Sequence, residues 1–308
     1  MSMTLRRKIF FNRVKKQKFH LLALLPFLAY LFIFRYYPMY GVTIAFRNFS
    51  FRRGIMGSEW VGLRYFEMFF RSPSFNRVMV NTLAMSTLSL IFVTTLSITL
   101  AIMICEMRNL IYKRVIQTIS YLPHFISWVV VAGMAMTLFS IDGGPINNVL
   151  MALGLTDSPV HFLDASMIWG TITGLNVWKS IGWGSIIYIA SITSIDQGLY
   201  EAAIIDGAGK FKQIRYITLP SILPTIVILL IFNLGYILNA GFEQQFFLRN
   251  PRNFQRIEVI DTYIFRYGLQ MAMYSYAAAV GLVKSVVGLI LVIFANMFSR
   301  RVLKMGLF

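Results

Sequence analysis

The sequence predicts an all-α integral membrane protein with six transmembrane helices. Three observations carry that expectation. Of 308 residues, 57% are hydrophobic and only 13% charged, against about 25% charged in an ordinary soluble domain. Mean hydropathy is +0.66. The apolar residues fall into separate stretches of about 20, the length that crosses about 30 Å of hydrocarbon. Lipid cannot satisfy open backbone groups, so these stretches must be helices or closed barrel strands. None alternates in the barrel pattern.

The spans are expected at about 21–41, 79–105, 121–140 (entered through Pro123), 166–192, 221–241 (beginning at Pro220) and 277–298. The fourth is the least apolar, with Asn176, Lys179 and four glycines. The basic segment before Leu21 resembles the start of a signal peptide. The apolar run nevertheless continues past Pro26 without a small-x-small cleavage site before Arg35, and reads as a retained first span. The expected layout is a basic cytoplasmic segment at 1–20, one membrane domain at 21–298 and a cytoplasmic tail at 299–308. Outside the spans, an interfacial helix is expected within 60–71, and a short amphipathic helix after Pro145, stopped by Gly154. A single cysteine, Cys105, excludes an intrachain disulfide.

A net charge of +17 would suggest nucleic acid in a soluble chain. Here the basic residues flank apolar runs, which points to topology and lipid headgroups, with no nucleic-acid partner. With the N-terminus inside, the internal segments hold sixteen Lys and Arg and the external loops ten. That balance puts both termini in the cytoplasm.

The internal loop at about 196–220 carries the most specific pattern. Acidic Asp196 and Glu201 suit the start of a short helix. Ala203 and Gly207 stand at i and i+4, on one face of that helix, and would let another surface approach closely. Gly207 and Gly209 then end or bend the helix, and Pro220 suits the first turn of the next span. An ordinary connecting loop fits the composition as well. The arrangement does more: Glu201-Ala202-Ala203, then Gly207, then Ile217-x-Leu219-Pro220 resembles the EAA loop of ATP-binding-cassette (ABC) importer permeases. Asp206, Ala208 and Pro224 fit its carbohydrate version. Tyr36-Tyr37-Pro38, Gly143-x-x-Ile146-Asn147, the region of Trp169 and Trp178, and Arg300-Arg301 look like the maltose-type carbohydrate-uptake permeases. Residues 121–128 and 241–245 resemble the branch that imports oligosaccharides released from polysaccharides.

The resemblance implies a type I importer permease fold in a bacterial cytoplasmic membrane. It implies a second, different permease, two ATPase subunits and an extracytoplasmic binding protein as partners. It assigns ATPase coupling to Glu201, Ala202, Ala203, Asp206, Gly207, Leu219 and Pro220. It implies no cofactor and no ATPase site in this chain. The residues agree: 207–211 lacks the spacer and the Ser/Thr of a phosphate loop, the histidines are scattered, and 182–185 is no nucleophile elbow. A polytopic glycosyltransferase is the enzyme alternative.

Polar groups inside spans are costly and default to function. Asn176, Trp178, Lys179, Asn233, Tyr236, Asn239, Glu243, Gln244 and Lys284 form an inventory suited to sugar, with amides, charges and rings. Each fits equally well as a bond between neighbouring helices. All ten external basic residues are arginines, the side chain that grips carboxylates bidentately, which favours an acidic, uronate-containing substrate. Docking of a binding protein and contact with lipid headgroups are the competing uses.

Overall fold

The expected apolar runs are helical in the structure, a computed structural model that describes residues 17–302. Nearly all of the basic segment expected at 1–20, and the tail beyond 302, lie outside the described residues. Helix α1 (Lys18–Phe46) leads into a β-hairpin of β1 (Arg47–Ser50) and β2 (Ser58–Trp60), with Arg47 opposite Trp60. A short α2 (Arg64–Phe70) follows, so the expected interfacial helix begins only after Trp60, which is a strand residue. Next come α3 (Phe75–Glu106), α4 (Leu110–Tyr121), α5 (Trp128–Leu138) and α6 (Pro145–Ala152). After them run α7 (Ile168–Thr193), α8 (Gln197–Ile205) and α9 (Lys210–Gly235). The chain closes through α10 (Glu243–Leu248), α11 (Phe254–Ile257), α12 (Ile260–Phe265) and α13 (Tyr274–Val302).

Four of these, α1, α3, α9 and α13, are long and apolar enough to cross a membrane. A fifth arises if α4 and α5 count as one span bent by 99°. The third span is therefore not the straight helix expected at 121–140. Pro123 ends α4 in a single 3-10 turn, Leu122–Phe125, and the chain resumes as α5 in a new direction. The expected fourth span, α7, is 26 residues long but too rich in polar residues and glycine to rank with the other four. It lies against α3, α4, α9 and α11, so protein, not lipid, surrounds much of it.

The fifth span also differs from expectation. Pro220 does not open it: α9 starts ten residues earlier, and a π turn, Ile214–Thr218, ends two residues before the proline. A widened turn moves away the carbonyl that the proline ring would strike, so the helix continues. The same device, Phe32–Tyr36, stands before Pro38 in α1.

Packing rests on close approach, because helices leaving lipid gain little from apolar burial. α3 and α7 form the most extensive helix pair. Ser97 on α3 donates its hydroxyl to the Ile181 carbonyl at 3.2 Å, and Gly184 stands beside that hydroxyl. On the other side of α7, a Cβ at Gly182 would fall onto the backbone carbonyl of Ser120 in α4. Ala101, Tyr188, Ile192 and Ile222 close one end of the bundle. Met85, Ile168, Ile172, Leu248 and Ile257 fill the other. A third cluster, around Phe69, Tyr263 and Tyr276, joins α2 and α12 to α13.

Gly182→Ala should therefore destabilise the detergent-purified protein by about 1–3 kcal/mol through overpacking. Gly174→Ala, where a Cβ meets nothing within 4 Å, should cost nothing. Thermal unfolding of the two variants checks the contrast.

Candidate functional site

A cavity of about 440 Å³ opens between α3, α7 and the end of α9. Ser86, Ser89, Leu90, Val93 and Thr94 line it from α3, at the spacing of one helix face. Asn176 and Ser180 come from α7, Trp128 from the start of α5, and Asn233, Tyr236, Asn239 and Gln244 from the chain that leaves α9. Five of the nine residues singled out in the sequence thus meet at one place.

The last of these walls is not regular helix, contrary to the continuous span expected to 241. After Gly235 the chain unwinds through i→i+3 turns: the Asn239 amide donates to the Tyr236 carbonyl at 2.7 Å, and the Tyr236 amide to Asn233 at 3.1 Å. Those turns keep a three-residue spacing, which is why the polar set read as helical. Irregular backbone at membrane depth is tolerated where it lines a cavity or is bonded by protein. Here Gln244 and Gln245 both donate to the Ala240 carbonyl, at 3.1 and 2.7 Å. Asn176 donates to Ser89 Oγ at 3.2 Å, while the buried hydroxyl of Ser86 has no protein partner. The serines of α3 escaped the sequence reading because they are small and scattered in an apolar run. Their spacing at 86 and 89, continued by Thr94, was the available signal.

The other four residues lie elsewhere. Trp178 faces an apolar groove with Phe139, Phe162, Gly170 and Gly174. Glu243 is exposed in the first turn of α10. Lys179 is buried, and its ammonium donates to three backbone carbonyls: Pro123 at 3.3 Å, His124 at 2.6 Å and Ile126 at 2.5 Å. They lie where α4 stops, and that of Pro123 also accepts the Ile126 amide at 3.2 Å, so Lys179 caps the break between α4 and α5. Lys284 pairs with Asp261 and lines a second cavity of about 560 Å³.

At the loop between α7 and α9, Asp196 caps α8 by accepting the Gly198 amide at 2.9 Å. The helix ends before Gly207, which has φ +74°. The Ala208 amide reaches the Ala203 carbonyl at 2.8 Å and the Gly207 amide reaches Ile204 at 3.0 Å, a pattern that requires a left-handed residue at the turn. Ala203 and Gly207 therefore do not share a helix face, and Ala203 is half-buried. The exposed surface is Glu201, Ala202, Ile204, Ile205, Asp206 and Gly207, with Ile205 at 86% exposure. Behind it, Tyr200 bonds Thr218 at 2.9 Å, Gln213 donates to the Ala208 carbonyl at 2.9 Å and Lys210 pairs with Glu106 at 2.8 Å. Leu219 packs beside Ile222, and Pro220 is exposed.

A helical membrane bundle with a polar, partly unwound cavity, and a rigid apolar-tipped helix between two of its long helices, has the parts of a transport permease. Residues 93–304 match the family described as binding-protein-dependent transport system inner membrane component, and the chain belongs to it. It is an ABC importer permease subunit. It is 43% identical to Protein LplB of Bacillus subtilis, over 96% of this chain and 92% of that one. It is 40% identical to the B. subtilis polygalacturonan/rhamnogalacturonan transport system permease protein YteP, over 98% and 94%. Among solved structures, it matches a bacterial ABC transporter involved in the import of the acidic polysaccharide alginate. That match has 41% identity and a TM-score of 0.88, covering 95% of this chain and 99% of that one.

Lys179→Met should be strongly destabilising, because the His124 and Ile126 carbonyls then lose the ammonium that bonds them; each costs about 1–3 kcal/mol. Asn176→Ala, with a single bond to Ser89, should cost under about 1.5 kcal/mol. Thermal unfolding in detergent distinguishes the two.

Proposed function

We propose that this chain imports acidic, uronate-containing oligosaccharides as one of two unlike permease subunits. A pair of ATP-binding-cassette subunits hydrolyses the ATP, and an extracytoplasmic binding protein delivers the substrate. The likeness to an alginate importer over nearly the whole chain carries this reading; the likeness to a polygalacturonan/rhamnogalacturonan permease supports it. The external arginines carry less than their number suggested. Arg77 and Arg266 both bind Glu258, at 2.8 and 2.7 Å, and Arg47 binds the Met56 and Ser58 carbonyls. Burial alone would lower the Arg266 pKa; the hydrogen bond and charge of Glu258 outweigh it and raise it instead.

Sugar hydroxyls would pass along Asn176, Asn233, Tyr236, Asn239 and Gln244, with Trp128 and Tyr236 offering rings. Trp178 acts in packing and Lys179 in helix capping, while Glu243 stands exposed on the first turn of α10. α8 meets the ATPase through Glu201, Ala202, Ile204, Ile205 and Asp206. Ala203 and Gly207 shape that tip, and Leu219 and Pro220 join it to the span. On this reading α8 and both termini face the cytoplasm, and the basic-residue balance supports it.

Two measurements test the reading. In the assembled complex, oligogalacturonates should stimulate ATP hydrolysis, and neutral glucans or mannans should not. Stimulation by the neutral oligomers alone would remove the acidic part and leave the permease assignment. The coupling helix is tested by a size series at Gly207. A Cβ there meets no atom of this chain within 4 Å, so Gly207→Ala adds only left-handed strain, about 1–2 kcal/mol. Gly207→Trp should insert normally yet abolish uptake and ATPase co-purification, because its side chain starts from open space on the exposed tip and its bulk stands where the ATPase would dock. Equal behaviour of the two variants would place the ATPase elsewhere.

A further inference from the structure

The proposed substrate is an anion, and its carboxylate needs a cation within the membrane. Among the described residues most cations near the cavities are engaged by the protein itself. Lys179 is held by three carbonyls. Arg77 and Arg266 share Glu258, which is 3% exposed. Arg249 and Arg256 lie over the rings of Phe246 and Trp169. Lys284 stands differently. It lines the second cavity, which shares Tyr236 and Asn239 with the first. Its neighbours along that wall are Gly281 and Ser285, small residues that line the cavity with it, and Gly288, which packs against the Gly235 carbonyl. Its one ionic partner is Asp261 on α12.

We propose that Lys284 exchanges Asp261 for a uronate carboxylate of the passing substrate, and that this exchange sets the preference for acidic over neutral oligosaccharides. The inference rests on the acidic-oligosaccharide reading above. The empty site keeps the lysine paired, because an unpaired ammonium inside a span is costly. A uronate offers the same chemical group as Asp261, so the exchange replaces one ion pair with another. A neutral sugar offers no replacement, and Asp261 keeps its hold. Lysine suits exchange better than arginine would: its ammonium is a compact charge on a flexible stem, without the two-pronged geometry that holds one partner.

The test uses the complete complex with its binding protein in proteoliposomes. The probes are an α-1,4-linked trigalacturonate and its carboxyl-reduced counterpart, each at a concentration that saturates the binding protein, so that the uptake ratio reports the membrane step. The wild type should favour the acid by roughly ten- to a hundredfold, the weight of a hydrogen bond to a charged group. Lys284→Met should bring that ratio close to unity, and Lys284→Arg should preserve a preference for the acid. The double variant Lys284→Met with Asp261→Asn removes both charges together and serves if the single variant fails to insert; it too should lose the preference. Either methionine variant transporting with the wild-type ratio would overturn the proposal, as would equal loss of both substrates at an unchanged ratio. No preference in the wild type would instead bring down the acidic-oligosaccharide reading on which it rests.

Discussion

Everything in this fold answers to the need of each backbone group in a membrane for a partner. Long helices satisfy it by themselves, and the chain departs from helix only where a side chain takes over. At the stop of α4, the ammonium of Lys179 collects the carbonyls of Pro123, His124 and Ile126. At the unwound end of α9, Gln244 and Gln245 hold the carbonyl of Ala240. The polar cavity of about 440 Å³ lies between these two repairs, with Trp128 just after the first and Tyr236 and Asn239 just before the second. The cavity exists because two helices end inside the bundle, and they can end there because those side chains are present.

The same solution organises the loops. Asn81 donates to the carbonyls of Gln255 and Glu258, both at 3.0 Å, and the Thr82 hydroxyl accepts the Ile260 amide. Asn253, fully buried, donates to the Leu163 and Leu248 carbonyls, at 2.8 and 3.0 Å. Buried Glu258 then gathers Arg77 and Arg266. A buried carboxylate with one partner removed costs several kcal/mol, so this pair of arginines fixes α11 and α12 against the start of α3. Asp261, the partner of Lys284, is carried on that fixed support.

How much was legible in the sequence follows from what each signal depends on. The apolar runs gave α1, α3 and α13 nearly to their ends, because span length and composition are local properties. The break at Pro123 and the end of α9 at Gly235 were not legible as breaks. A proline in an apolar run reads equally as a helix start, and three-residue turns mimic helical spacing. Asn176, Asn233, Tyr236, Asn239 and Gln244 were found because amides and phenols in spans are rare. Ser86 and Ser89 were not, since serine is common in membrane helices. Lys179 looked like a pathway residue for the same reason as the others; only its three carbonyl partners, 53 to 56 residues away in sequence, show that it closes a helix end. The tip of α8 was recognisable from Glu201-Ala202-Ala203 and Gly207. Which side chains face outward depended on the helix ending before Gly207, a matter of one left-handed residue.

The claim most open to direct measurement is that the unwound end of α9 lines a watery, substrate-filled passage. With Cys105 replaced by serine, Asn233→Cys and Asn239→Cys in the assembled complex should react readily with a charged, membrane-impermeant thiol reagent. Saturating oligogalacturonate should slow that reaction. Phe294→Cys, on the exposed apolar surface of α13, should stay unreactive with or without sugar. If the two asparagine positions proved as unreactive as Phe294, the cavity would be a lipid-facing crevice and the passage would have to lie elsewhere.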